Sequence, residues 1–419
     1  MAPLPGEPSE VELGLQTTQE DLQGLRTDLE NFKFQWQRER DLHTAITTRF
    51  LRIGGVVQPR FGWQDKRVNS TSVKGRKSSF DINSAILSFT GTLYRDYEEG
   101  RNLTYNIRFG VSKQTNTNNS FLNLLDAQIT YNFMPTINPE DPLLTATAGQ
   151  QQLPFGLEVS ATEELRPVVR NAQFTTSLDL ARRDVGLIVR GELFPLVDFG
   201  YNYRVPVIAY AVGVVNGAGA NMLDNNNAKD FIGRLAFTVP SDFNSILRQF
   251  TVGGTVYLGR TNTLLKDAAK TLVGTGHSNR YGVDVYYNHW PLGVTYEYII
   301  ADDFTAYGMT KASPQRRNLQ RDSHTATFFY SIGEQFVSGF RNQGRFDDWW
   351  PKTYQPFVRY DRFDNDRTSG KNEVTIYTAG FNLFLAETTK VQVNYNLTHT
   401  AANKEKYSHE VLTQAQFGF

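Results

Sequence analysis

VLTQAQFGF, residues 411–419, is the stretch whose reading decides the fold. In an extended strand, successive side chains point to opposite faces. Val411, Thr413, Ala415, Phe417 and Phe419 then share one face, and Leu412, Gln414, Gln416 and Gly418 the other. The first face is mostly apolar and ends in two aromatics; the second is mostly polar. Chain ends in water usually fray. A strand of a membrane barrel instead lays one face against lipid and ends at an aromatic girdle. Phe419 is therefore expected to end the last strand of such a barrel.

The same alternation recurs upstream. FLRIGGVVQPRFGWQ (50–64) sets Leu51, Ile53, Val57, Phe61 and Trp63 against Arg52, Gln58, Arg60 and Gln64. In LTYNIRFGVS (103–112), Leu103, Tyr105, Ile107, Phe109 and Val111 oppose Thr104, Asn106 and Arg108. NLLDAQITYNF (123–133) and KVQVNYNLT (390–398) repeat the pattern. Segments of about ten residues with this dyad period are the signature of a transmembrane barrel. Sixteen are expected, from 50–64 to 409–419, with 194–196, 289–291 and 386–388 as short turns. Long loops are expected at 65–78, 155–182, 216–228, 261–278, 303–322, 364–372 and 401–408. The connection 338–353, with Trp349 and Trp350, is long where a short turn is expected.

Bulk composition agrees. The chain has 419 residues, with 43 basic against 43 acidic side chains and no cysteine. A nucleic-acid partner would want a basic excess, and without cysteine there is neither a disulfide framework nor a thiolate metal site. Mean hydropathy is negative, and no apolar run reaches the ~18 residues of a membrane helix. Twenty-nine Phe and 20 Tyr suit strands of which only one face meets lipid. MAPLPGEPSE lacks the basic start and apolar core of an export signal, so that signal is expected to have been removed.

The first fifty residues have another period. Leu15, Thr18, Leu22, Leu25, Leu29, Phe32, Trp36, Glu39, His43, Ile46 and Phe50 alternate spacings of three and four, a heptad seam. Three regions follow: a Pro-rich lead at 1–10, a coiled-coil helix at 11–49 and a barrel at 50–419. The seam, clearest at Leu22, Leu25, Leu29, Phe32 and Trp36, calls for a partner helix. The fold class is all-β, a sixteen-stranded antiparallel barrel preceded by an α-helical coiled coil.

With apolar faces outward, Arg52, Arg60, Arg108, Arg190, Arg234 and Arg359 point inward, as do Asp126, Asp184, Glu192, Glu297 and Asp361. The longest loop, 155–182, carries Arg166, Arg170, Glu158, Glu163, Glu164 and Asp179. Folded into the lumen, it would make a constricted diffusion pore whose selectivity rests on a few charges at close range. The rival is a structural connector between outer membrane and cell wall with a narrow or plugged barrel. An enzyme is not expected. His43, His277, His289, His324, His399 and His409 are scattered, with no nucleophile motif and no metal-ligand spacing, so neither metal nor cofactor is expected.

GQQQLPFGLE, then RPVVR and ARRDVGLIVRGEL, resembles the phosphate-selective porin O and P family. VVNGAGANMLDNNNAKDFIGRLAF and YQPFVRYDRFD extend the resemblance over roughly 50–419. It implies a homotrimeric outer-membrane porin of sixteen strands passing small hydrophilic solutes or ions, anions such as phosphate among them. It implies that 155–182 is the constriction loop, with Arg166 and Arg170 guiding anions and Arg60 and Arg108 as wall candidates. The helix would then lie in the periplasm, as a trimerising stalk or a tether to peptidoglycan or another cell-wall polymer. The alternating end at Phe417 and Phe419 also resembles the signal read by barrel assembly machinery.

Overall fold

A computed structural model gives the architecture. It describes residues 18–19, 21–29, 32–33, 51–65, 77–96, 101–111, 122–134, 143–162, 166–180, 183–198, 203–264, 272–310, 313–333, 351–370, 372–386, 388–401 and 407–419. The strands are β1 (Arg52–Gln64), β2 (Lys77–Asp96), β3 (Arg101–Val111), β4 (Leu122–Met134), β5 (Leu144–Gln152), β6 (Arg183–Asp198), β7 (Tyr203–Val215) and β8 (Asp230–Thr238). The second half holds β9 (Thr251–Leu264), β10 (Leu272–His289), β11 (Leu292–Thr310), β12 (Ser313–Tyr330, resuming at Ile332–Gly333), β13 (Thr353–Asp364), β14 (Glu373–Phe384), β15 (Lys390–Thr400) and β16 (Ser408–Gly418). Each pairs antiparallel with its neighbours in the chain, and β1 also pairs with β16. The sheet thus closes as a sixteen-stranded barrel with no free edge. At the seam, Gly55 N–H donates to Phe419 O (2.9 Å) and Phe419 N–H to Gly55 O (3.0 Å).

The two faces of β15 fix inside and outside. Lys390, Gln392, Asn394 and Asn396 are buried, while Val393 and Tyr395 between them are exposed. Ile53, Leu187, Leu235, Val283, Val358 and Phe417 continue the exposed apolar face around the barrel. So much aliphatic surface in register on one face of a sheet fits hydrocarbon, not water. Among the described residues, no helix is long and apolar enough to cross a membrane.

Two expectations are corrected. Residues 194–196 are not a turn but lie within β6, where Pro195 sits opposite Pro206 of β7. Neither proline has an N–H to give, and the flanking ladders have already ended, at Leu144↔Gly191 and Ile208↔Phe237. The expected loops 261–278 and 303–322 are mostly strand: β9 to β12 run on to Leu264, from Leu272, to Thr310 and from Ser313. The apolar–polar alternation of the sequence fades along these stretches while the backbone ladder continues, as at Thr305↔Arg317.

At the N-terminus, residues 18–19, 21–29 and 32–33 are helical, and Leu22, Leu25, Leu29 and Phe32 are exposed. Trp36 lies outside the described residues, as does 338–350 of the long connection.

Candidate permeation path

Between β5 and β6 the chain leaves the wall and crosses the barrel interior. Pro154, Phe155 and Gly156 turn it inward. Gly156 has φ +55°, where a side chain is strained. The next two N–H groups, of Leu157 (2.5 Å) and Glu158 (3.0 Å), both donate to the Glu297 carboxylate on β11. Leu153, Phe155, Val159, Ala172, Phe174, Leu178 and Leu180 of the loop are buried against Ile188, Ala211, Val215, Ile232, Tyr257, Ile299, Ala301 and Phe363 of the wall. Each large side chain so buried contributes about 1.5–3 kcal/mol gross. A short helix, α1 (Gln173–Ser177), is held where Gln173 N–H donates to Asp361 Oδ2 (2.9 Å) on β13.

The middle of the loop is fastened to the wall formed by β14 and β15. Asn382 Nδ2 (2.9 Å) and Gln392 Nε2 (3.0 Å) donate to Pro167 O, and Lys390 Nζ donates to Arg166 O (2.7 Å). Val169 N–H donates to Asn394 Oδ1 (3.0 Å). An irregular backbone has no ladder partner, so wall amides satisfy its polar groups.

Charges follow the same plan. Arg359 of β13 donates to Glu158 Oε1 (3.2 Å), and Ala172 N–H donates to the same oxygen (3.0 Å). Burial alone would raise the Glu158 pKa; Arg359 and Arg166 more than offset it, and the carboxyl is held below its ordinary value of 4.5. Arg170 forms a two-pronged ion pair with Glu410 of β16, its Nε 2.6 Å from Oε2. Arg60 forms another with Asp81 of β2, at 2.9 and 2.5 Å. Arg166 donates to Asn171 Oδ1 and to the carbonyls of Ala161 (2.9 Å) and Glu158 (3.3 Å).

The loop leaves a cavity of about 830 Å³ against β1, β2, β15 and β16, lined by Arg60, Arg166 and Arg170 with Gln58, Asn83, Asn171, Gln392 and Gln414. Arg108 is not among its lining residues. It lies 3.6 Å from Asp126, which also accepts from Arg183 (2.7 Å). Glu163 and Glu164 lie outside the described residues. No local signal in the sequence marks Asp81 or Glu410 as a site residue. Parity along β16 puts Glu410 on the polar face with Gln414, but no local signal says which polar residue the loop will meet. A smaller cavity of about 390 Å³ is lined by Arg190, Glu192, Tyr210 and Arg234. Among the described residues, no group of three or more His, Asp or Glu could hold a metal ion.

The structure is thus a closed antiparallel barrel with an apolar outside, its interior crossed by a long loop. A family model described as phosphate-selective porin O and P matches residues 56–239, which include that loop. Similar solved structures include the trimer form of the outer membrane protein OmpT of Vibrio cholerae, at 8% identity and TM-score 0.54 over 88% of this chain and 99% of that one. The outer membrane channel DcaP of Acinetobacter baumannii is 11% identical, TM-score 0.54, over 88% and 97%. OmpF of Salmonella typhi is 10% identical, TM-score 0.55, over 88% and 97%. At such identities the likeness is one of fold. No curated protein matches the chain.

Proposed function

We propose that this chain is an outer-membrane porin, a passive diffusion channel for small hydrophilic solutes and ions in which residues 155–182 form the constriction. The observation that carries the reading is the loop itself. It is packed on an apolar core at one end and tied to β14–β16 at the other, and it leaves a polar cavity of about 830 Å³ that Arg60, Arg166 and Arg170 line. Guanidinium groups on a polar, water-filled passage attract anions without binding them irreversibly. The family match over 56–239 supports the same reading.

A homotrimer belongs to this proposal, supported by the trimer form of the similar OmpT barrel. In it the N-terminal helices, with Leu22, Leu25, Leu29 and Phe32 exposed, zip together on the periplasmic side as a stalk or cell-wall tether.

The test is reconstitution of purified protein into a planar bilayer. Stepwise current increments, with a reversal potential of anion-favouring sign under a potassium chloride gradient, are expected. A membrane that stays silent although folded barrel is present would instead select the structural connector.

A further inference from the structure

We propose that Asp81 and Glu410 set how strongly the loop-lined passage favours anions, by capping two of its arginines. The inference rests on the porin reading and deepens it. Of the three arginines lining the larger cavity, two are committed to carboxylates: Arg60 to Asp81 and Arg170 to Glu410. Both pairs are two-pronged, which is the strong, directional form of the guanidinium–carboxylate interaction. Both arginines line the cavity, and neither pair is fully buried. The Arg170 side chain is 50% exposed and that of Asp81 39%.

The two pairs form one cluster at the barrel seam. Arg60 on β1 lies opposite Gln414 of β16, the strand that carries Glu410, and opposite Asp81 on β2. An anion seeking the two-pronged edge of Arg170 must displace Glu410. That carboxylate is only 12% exposed and is also held by Asn396 Nδ2 (2.8 Å). Displacing it would leave a half-buried charge unpaired, which is unfavourable. The passage therefore attracts anions weakly and offers no tight site for a multiply charged one. Small monovalent anions and neutral polar solutes suit it; phosphate gets no dedicated seat.

The magnitude follows from Coulomb's law. A unit charge about 6 Å from the ion path in water changes the local ion concentration by about threefold.

The experiment compares reversal potentials of the full-length wild type, Glu410→Gln, Asp81→Asn and the double variant in planar bilayers under a potassium chloride gradient. Each single variant is expected to raise the anion-to-cation permeability ratio by up to about tenfold, because the anion concentration rises and the cation concentration falls about threefold each, and the double variant further. Glu410→Asp keeps the charge and is expected to stay near wild type. So is Glu373→Gln, which alters a pair with Arg362 away from the cavity. Millimolar inorganic phosphate is expected to leave the wild-type chloride current within about twofold of its starting value. Normal current steps with an unchanged reversal potential in Glu410→Gln and Asp81→Asn would overturn the proposal. So would an equal shift in Glu410→Asp, which would mark a repacked loop, or block of the wild type by micromolar phosphate. Absence of steps in the wild type would instead overturn the porin reading beneath it.

Discussion

Gly156 lies directly against the carboxylate of Glu297, at the point where the inner loop leaves the wall. A Cβ on Gly156 would overlap Oε1, and φ there is +55°. The contact is close because the two N–H groups that follow Gly156 both donate to that carboxylate. One small residue thus lets the backbone approach an acid on β11 and turn into the lumen. Gly156→Ala is expected to strain the turn by about 1–3 kcal/mol and loosen the loop. The check is single-channel recording together with limited proteolysis. Noisier or larger conductance and faster cutting within 155–182 are expected, with the barrel itself still folded.

Acid should release the loop in a defined window. The Glu158 carboxyl has its pKa held below 4.5 in the folded protein, burial being outweighed by Arg359 and Arg166. Because the folded value is the lower one, this contribution to stability is complete above the unfolded value. It is lost as pH falls through the folded value. The Glu158 part of any conductance change is therefore expected below about pH 4.5. In Glu158→Gln that part of the pH response should vanish; a titration curve identical to wild type would remove Glu158 from the anchor.

Removing the partner of Glu158 is a harsher test. Arg359 is 5% exposed, so Arg359→Met leaves a buried carboxylate without its cation. A loss of about 3–5 kcal/mol is typical of such a break. Thermal denaturation in detergent should show a lower midpoint in Arg359→Met. Partial recovery is expected in the double variant with Glu158→Gln, because buried Asp361, which Arg359 also faces, still loses that cation.

Barrel closure depends on the contact of Gly55 with Phe419. Their backbones exchange two hydrogen bonds, and a Cβ on Gly55 would come 2.7 Å from the Phe419 ring. Deleting Phe419, or Gly55→Val, is expected to lower the yield of folded barrel. The yield is read as the heat-modifiable band on a denaturing gel. Undiminished assembly after deletion of Phe419 would rule out its role as an assembly signal.

The N-terminal stripe can be tested apart from the barrel. A peptide spanning 11–50 is expected to self-associate in sedimentation equilibrium, and Leu25→Lys with Leu29→Lys to abolish association, since charges on a heptad seam oppose packing. A peptide that stays monomeric at high concentration would count against the stalk.

The sequence by itself determined which segments are strands and which face of each meets lipid. Alternation is local: Val391 and Val393 are apolar, and Gln392 and Asn394 polar, whatever the rest of the chain does. It failed where that local cause ceased. In the outer parts of β11 and β12, a stretch such as Arg316, Arg317 and Asn318 carries no apolar–polar period although its backbone is paired. In β6, Pro195 read as a turn because its tolerance depends on neighbouring ladders that end elsewhere in the chain. The inner loop was legible as the longest connection, and its arginines as candidates. Which acid each arginine meets was not. Arg170 pairs with a glutamate 240 residues away, and Arg108 is held by Asp126 beside Arg183. Only the closed barrel decided those pairings. Closure brings β16 beside β1 and folds the loop against them, and a charge acts on what is near in space, not on what is near in sequence.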